Sequence, residues 1–266
     1  MQRRALALAL FSTALAGSVA AYRAILRPWY ERWGVEPDDG ARLLPGDELI
    51  AGPTGGDTRG ITIDAPAGAI WPWLVQMGLG RAGWYSYDAI DMRGRSSETI
   101  EPAWQAITVG QTIPAWPGGG FEVVQVDPDQ ALVLYLDDGM VARQEADARS
   151  TAVGGLGADP TTPGLAASGA ILRTHAPRFR ASWAFVLEPV DGGGTRLIER
   201  FRIEYPEAAA WNRVTAPLFG VGVFVMTRRQ MLGIKRRAER PIARGPDETV
   251  AEERLVEMGH QELVPA

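Results

Sequence analysis

The sequence contains no cysteine and only two histidines, and both shortages exclude whole classes of active site. Without cysteine the chain cannot form disulfides, thiol nucleophiles or thiolate metal ligands. His175 and His260 are far apart in the sequence, so they offer no metal-ligand spacing. A Ser-His-Asp arrangement would have to depend on His175 alone. We therefore expect no metal and no cofactor, and we name no catalytic residue.

Positive charge is also in short supply. The chain has 27 Lys and Arg residues against 32 Asp and Glu, a net charge of −5, and its pI is near 5.2. Proteins that bind nucleic acid usually carry a basic face, so we expect no nucleic-acid partner. Tryptophan, by contrast, is abundant: the nine side chains must be buried or in contact with something apolar.

Residues 5–22 form an uncharged run rich in Leu and Ala, which follows Arg3 and Arg4 and ends before Arg23. This pattern is typical of a secretory signal peptide or of a retained signal anchor, and the run is near the minimum length for crossing a bilayer. Aromatic residues of the kind found at membrane interfaces follow it: Trp29, Tyr30 and Trp33. Both alternatives stay open for residues 1–28, so we expect a membrane-associated protein or one exported after cleavage.

Residues 29–57 are predicted to be a linker, because most of this segment is rich in Gly, Pro and Asp and has no periodicity. A strand is predicted around residues 61–63, where Ile alternates with Thr. Pro66 then suits the first turn of a helix that ends at Gly78. A second short helical or turn segment is predicted at residues 84–92. The first helix has apolar residues at helical spacing: Ile70, Trp73, Leu74 and Met77.

From Gln111 the pattern changes to short strands. Residues 121–126 and 131–136 are apolar runs separated by an Asp-Pro-Asp turn. Residues 181–190 and 195–205 are predicted to form a hairpin around an Asp-Gly-Gly-Gly turn. Alternation along the hairpin predicts one face for the core and one for water. The predicted water-facing residues of its second strand are Arg196, Arg200, Arg202 and Glu204.

The end of the chain is predicted to be helical, after a segment with little pattern. Residues 142–178 are rich in Gly, Ala, Thr and Pro, and we interpret them as a flexible insertion, either a lid or a plain loop. A helix of about 33 Å is predicted over residues 218–239, and residues 241–266 are predicted to be a polar tail. The apolar stripe of the helix consists of Phe224, Thr227, Met231 and Ile234.

Residues 78–83 match the G-x-G-x-x-G pattern of dinucleotide-binding loops. That motif requires a strand before it and a helix after it, but here a helical stripe precedes it. We therefore interpret residues 78–83 as the end of a helix and a loop. Arg81 within it is either a ligand for an anionic group or a solvated loop residue.

Glu199 is the one charged residue that strand alternation places on an apolar face, between Leu197 and Phe201. A buried carboxylate is costly unless it is paired or protonated. Two interpretations stay open. Either a bulge or an inward-facing arginine accommodates it, or Glu199 is a polar anchor or general acid/base in a cavity.

Several segments resemble the SRPBCC superfamily, the START/Bet v 1-like and polyketide cyclase-like proteins of bacteria. They span most of residues 43–240: ITIDAP at 61–66, IWPWLVQMG at 70–78, GWYSYD at 83–88, WAFVLEP at 183–189, GTRL at 194–197 and MLGIK at 231–235. The resemblance implies an α+β helix-grip fold over residues 58–240, preceded here by an N-terminal hydrophobic helix. In this fold a curved antiparallel sheet wraps around a long C-terminal helix and leaves an apolar cavity.

The resemblance implies binding of a hydrophobic small molecule or lipid, and we expect this to occur near a membrane. The alternative is a cyclase or dehydratase that acts on a polyketide-like substrate and uses Glu199 with Tyr85 or Tyr87. A third hypothesis is an interaction protein whose cavity is packed shut. We predict these ligand-binding residues: Trp73, Met77, Tyr85, Tyr87, Trp104, Trp183, Phe185, Glu199, Phe201 and Phe224.

Overall fold

A computed structural model describes residues 13–14, 16–36, 39–91, 94–152, 178–205 and 212–240. Its centre is a six-stranded sheet in which every neighbouring pair of strands is antiparallel, in the order β1-β6-β5-β4-β3-β2. The first strand therefore lies beside the last. The strands are β1 Gly55–Ile63, β2 Thr112–Trp116, β3 Gly119–Asp127, β4 Ala131–Asp137, β5 Arg180–Pro189 and β6 Thr195–Glu204.

Turn chemistry explains the strand boundaries. The predicted turn after β3 is confirmed: Asp129 has a φ of 60°, a conformation that Asp tolerates better than most residues. The predicted hairpin of β5 and β6 is also confirmed, with Gly192 and Gly193 at φ of 87° and 86°. Register shifts between Pro114 and Trp116 and between Val123 and Gln125 interrupt the ladders on either side of β3. Such irregularities increase twist and bend a sheet.

Besides the helical residues before Tyr22, five α-helices accompany the sheet in the described residues. They are α1 Arg27–Glu31, α2 Ala67–Val75, α3 Asp88–Asp91, α4 Asp138–Ala152 and α5 Asn212–Ala238. The predicted long C-terminal helix is therefore confirmed, and its whole predicted stripe is buried: Phe224, Thr227, Met231 and Ile234. The α+β class and the order of elements agree with a helix-grip arrangement.

The main core lies between the inner face of the sheet and helices α2 and α5. Ile70 and Leu74 of α2 and Met231 and Ile234 of α5 are fully buried in it. Gly233 allows α5 to approach the loop after α2, because a Cβ there would lie 2.2 Å from the carbonyl oxygen of Tyr85. Burial on the inner face thus fixes where the long helix crosses the sheet.

The prediction that the other face of β6 is exposed to water is wrong. Arg196 and Arg200 are buried there because acidic residues from the segment before β1 cover them. Arg196 Nη2 lies 3.0 Å from Asp39 Oδ2, and Arg200 Nη1 lies 2.6 Å from Asp47 Oδ2. A second apolar cluster, which includes Leu44, Val133, Ala184, Val186 and Ile198, lies on this face.

Two segments predicted to lack structure are ordered where they are described. The linker prediction for residues 29–57 is wrong for Asp39 to Ile50, because Asp39, Leu44, Asp47 and Ile50 are all buried against the sheet. Residues 142–152 of the predicted insertion belong to α4. Gln144 anchors this helix by accepting from the Gly120 amide and donating to its carbonyl, at 3.0 Å each. Residues 153–177 and 241–266 lie outside the described residues.

The N-terminal segment is helical where it is described, through residues 16–21, a π-helical turn at Tyr22–Leu26 and then α1. Most of its apolar side chains are exposed, including Ile25 and Leu26. Among the described residues, no helix combines the length and apolarity needed to cross a membrane. Residues 1–12 and 15 lie outside the description, so the signal peptide or anchor stays a prediction.

We predict that Gly233→Ala destabilises the protein by about 1–3 kcal/mol, because the new methyl group would overlap the Tyr85 backbone. Gly222→Ala in the same helix is the control. No atom lies within 4 Å of its added Cβ, so the gain in helix propensity should raise stability by up to about 1 kcal/mol. Urea unfolding measures both, and equal effects would contradict the packing described.

Candidate functional site

A small group of charged residues interrupts the otherwise apolar inner face of the sheet. Arg59 on β1 lies directly opposite Glu199 on β6, which in turn lies opposite Phe185 on β5. Two residues before Arg59 on β1, Asp57 lies opposite Phe201 on β6. Because side chains two residues apart in a strand share a face, Asp57, Arg59 and Glu199 point to the same side. We call these three residues the buried charge cluster.

Glu199 lies at the centre of the cluster and is 1% exposed. Its Oε1 accepts a hydrogen bond of 2.6 Å from the indole Nε1 of Trp183. Its Oε2 lies 4.0 Å from Arg59 Nη1, too far for a hydrogen bond. An inward-facing arginine is therefore present, as the first interpretation of Glu199 expects, but it leaves one carboxylate oxygen without a hydrogen bond, and a role as polar anchor or general acid/base stays a prediction.

Arg59 is also 1% exposed and is held from several sides. Its Nε donates to the Tyr30 carbonyl oxygen at 3.3 Å, and its Nη1 lies 2.8 Å from Asp57 Oδ1. The guanidinium carbon lies 5.7 Å from the ring centroid of Phe224 on α5. The N-terminal segment, β1 and α5 therefore all contribute to the position of this one side chain.

Several polar atoms of the cluster make no hydrogen bond within the described part of the chain. They are Asp57 Oδ1, Arg59 Nη1 and Nη2, and Glu199 Oε2. Asp57 Oδ1 and Arg59 Nη1 form an ion pair at 2.8 Å, so Arg59 Nη2 and Glu199 Oε2 are the cluster atoms left without a close partner among the described residues. Each buried polar group without a hydrogen bond costs about 1–3 kcal/mol. Such a cost in one place is characteristic of sites that serve a purpose other than stability.

Burial shifts the acid–base properties of both carboxyl groups. It raises the pKa of Glu199 to about 7, a rise that Arg59 opposes and Asp57 reinforces. Burial likewise raises the pKa of Asp57 to about 6, against the opposing effect of Arg59. The pair therefore holds a proton more readily than exposed carboxyl groups do.

Aromatic rings surround the hydrogen bond between Trp183 and Glu199. The Trp183 ring stacks on Trp84 at a centroid distance of 5.5 Å and an interplanar angle of 17°. Phe121 and Phe185 contact the same ring at 5.4 and 5.0 Å. Trp84 Nε1 is buried and, like the cluster atoms, makes no hydrogen bond in the described residues. The cluster thus adjoins a wall of apolar rings.

A surface cleft of about 400 Å³ lies at the β1 edge, and Asp57 is the cluster residue that lines it. Asp57 and Phe201, both on the inner face, line it together with Gly55 and Gly56. The two glycines leave the strand edge open because they carry no side chain. The remaining lining is largely charged and includes Glu31, Arg32, Arg42, Asp47, Arg200 and Arg202.

The structure brings only some of the predicted site residues together. Trp183, Phe185, Glu199 and Phe201 lie on adjacent strands around the cluster, and Phe224 reaches it through Arg59. Their role in binding stays a prediction, since no ligand is present.

Four predicted site residues have other neighbours. Trp73 and Tyr85 pack together at 5.9 Å, and the Tyr85 hydroxyl donates to the Trp73 carbonyl and accepts from Gln76, each at 3.0 Å. Tyr87 and Trp104 are 41% and 38% exposed, and an arginine lies over each ring. Met77, also predicted, is fully buried in the core.

Sequence reasoning missed Asp57 and Arg59. The signal was available: these residues have the same parity as Ile61 and Ile63, so extending the strand toward its start would have placed them inward. They were missed because residues up to 57 were assigned to a linker and the strand was predicted only around residues 61–63.

The glycine-rich loop has the predicted structural role. Gly78 and Gly83 exchange backbone hydrogen bonds of 3.1 and 3.2 Å, and helix α2 precedes them. Arg81 donates to the carbonyl oxygens of Val75 and Trp104, so its guanidinium joins two loops. Among the described residues no group of three acidic or histidine side chains is arranged to hold a metal ion.

No protein-family model matches the sequence, and neither does any curated protein sequence. The chain is similar to a solved Mesorhizobium loti protein at 14% identity, over 70% of this chain and 98% of that protein, with a TM-score of 0.34. It is similar to DynU16, from the dynemicin biosynthetic locus, at 13% identity over 67% of this chain and 46% of DynU16, with a TM-score of 0.31. A major latex family protein of Arabidopsis thaliana matches at 12% identity, 68% and 94% coverage and a TM-score of 0.30. At these values the fold assignment depends on the strand order and the long helix.

Proposed function

We propose that the protein binds a small apolar molecule against the inner face of the sheet and holds one polar group of it at the buried charge cluster. The observation that carries this proposal is the set of buried atoms without hydrogen bonds in Asp57, Arg59 and Glu199. A ligand that pairs with them would recover the free energy that the folded protein forgoes there.

The surroundings of the cluster favour an apolar ligand. The half-buried ring of Trp183 packs on the buried rings of Trp84, Phe121 and Phe185, and binding sites for small molecules commonly combine such walls with a few polar groups. The cleft at the β1 edge supports access from solvent, because Asp57 belongs both to its wall and to the cluster. The helix-grip resemblance points in the same direction.

An enzyme of the cyclase or dehydratase type is less well supported. Glu199 has the raised pKa that acid–base catalysis needs. However, the Tyr85 hydroxyl already makes two hydrogen bonds, and burial raises its pKa. Tyr87 is largely exposed and lies beside Arg229. Neither tyrosine is thus placed as a second acid–base group next to Glu199.

Native mass spectrometry of the full chain, purified from membranes of its own cells under mild conditions, tests ligand binding. We expect a non-covalent adduct of small mass on the unaltered protein and its loss in Arg59→Met. Arg180→Met is the control, because Arg180 is half-exposed and pairs only with Glu204 among the described residues. Reproducible absence of any adduct, or its retention in Arg59→Met, would count against the proposal.

We further propose that the N-terminal segment docks on an anionic lipid surface. Its exposed apolar residues include Ile25, Leu26 and Trp29, and Trp29 is 55% exposed although it contacts Phe224. Exposed basic residues accompany them: Arg23, Arg27 and Arg32 on the same segment, and Arg228 of α5, which lies over the ring of Trp33. In a chain of net charge −5, this combination of apolar and basic residues suits an interface with anionic lipid.

Sedimentation with vesicles of phosphatidylserine and phosphatidylcholine measures this docking. We expect Trp29→Ser to weaken binding about tenfold or more, because a large interfacial ring is removed. Trp104→Ser is the matched control, since Trp104 is exposed on the loop beside α2. Equal binding by both variants, or binding that does not change between vesicles with and without phosphatidylserine, would contradict the docking surface.

A further inference from the structure

We propose that the polar group held at the buried charge cluster is a neutral carbonyl oxygen, as in a ketone, ester or lactone, rather than a carboxylate or an amine. This inference rests on the proposed binding function and adds the chemistry of the ligand. It follows from which hydrogen-bonding atoms are free and from the charge that surrounds them.

Two of the atoms without a hydrogen bond are donors that still need an acceptor. Arg59 Nη2 in the cluster and Trp84 Nε1 on the neighbouring ring have no acceptor in the described residues, whereas Arg59 Nη1 lies 2.8 Å from Asp57 Oδ1. A guanidinium can only donate, and so can an indole nitrogen. A ligand atom that satisfies them must therefore accept hydrogen bonds. An ammonium group cannot accept, so an amine would leave Arg59 Nη2 unsatisfied and would place a second positive charge beside the guanidinium.

The charges nearby favour an acceptor without a charge of its own. Asp57 lies 2.8 Å from Arg59, so the positive charge already has a buried counter-charge. Among the described residues Glu199 is the other titratable group near them, and Trp183 and Phe185 face it from β5. Glu31 acts on Asp57 from α1 as one more negative charge. A ligand carboxylate would add an unpaired buried anion, which is costly.

Glu199 completes the site in its protonated form. A protonated carboxyl group can donate from Oε2, the oxygen that makes no hydrogen bond, while Oε1 continues to accept from Trp183. Glu199 and Arg59 then both donate to one carbonyl oxygen. Since burial raises the pKa of Glu199 to about 7, the donor form predominates below this pH and is lost above it. Carbonyl binding should therefore weaken as the pH rises through neutrality.

Calorimetric titration with three ten-carbon probes tests this: the ketone 2-decanone, decanoate and decylamine. At about pH 6.5, where Glu199 is mostly protonated and Asp57 mostly ionised, we expect the ketone to bind about tenfold or more tightly than either ionic probe, and to lose affinity at about pH 8.5. Glu199→Gln should remove that pH dependence, because the amide donates at every pH. Glu188→Gln, on the opposite face of β5, should retain it.

The outcomes separate this inference from the proposed function. Decanoate or decylamine binding as tightly as the ketone, or a pH dependence that survives in Glu199→Gln, would overturn the carbonyl assignment and leave interior binding in place. Failure of all three probes to bind the unaltered protein at either pH would overturn interior binding itself. Thermal unfolding of Glu199→Gln confirms that the variant is folded before its titration is interpreted.

Discussion

The pairing of Arg59 with Glu199 across β1 and β6 is the constraint on which the rest of the site depends. A guanidinium and a carboxylate cannot both be buried on an apolar sheet face without further contacts. Tyr30 supplies a carbonyl, Asp57 a counter-charge and Trp183 an N–H donor. These contacts come from the N-terminal segment, β1 and β5, so one buried pair ties three parts of the chain together. These contacts leave some hydrogen-bonding atoms of the pair without a partner, and this suits the pair to bind a ligand.

Strand β6 carries charge to both faces of the sheet. Glu199 points inward, whereas Arg196 and Arg200 point outward and pair with Asp39 and Asp47. Contacts on both faces attach the residues before β1 to the sheet. Tyr30 makes the contact on the inner face, and Asp39 and Asp47 make the contacts on the outer face. The segment before β1 thus covers the outer face and also forms part of the wall of the cleft that leads to Asp57.

Local sequence patterns predicted the elements well and the long-range contacts poorly. The turns at 127–129 and 191–194, the stripe of α5 and the inward side of Glu199 all follow from the periodicity of a few neighbouring residues. The burial of Arg200 by Asp47 does not, because 153 positions separate the two residues. The same holds for Arg59 and Glu199. A composition rich in Gly and Pro predicts a linker, regardless of whether its few acidic residues pair with arginines that are distant in the sequence. Tyr87 and Trp104 were predicted as ligand contacts from residue type alone, which does not reveal the direction of a loop side chain.

If the buried charge cluster serves binding rather than folding, replacing all three of its residues should leave the fold stable. Urea unfolding of the triple variant Asp57→Leu, Arg59→Met, Glu199→Gln tests this most directly, since the glutamine still accepts from Trp183. Buried ion pairs replaced by apolar residues of similar size are often neutral or stabilising. We expect the free energy of unfolding of the triple variant to equal or exceed that of the unaltered protein, or to be lower by no more than about 1 kcal/mol. A loss of several kcal/mol would show that the cluster holds the fold together, and would contradict the account.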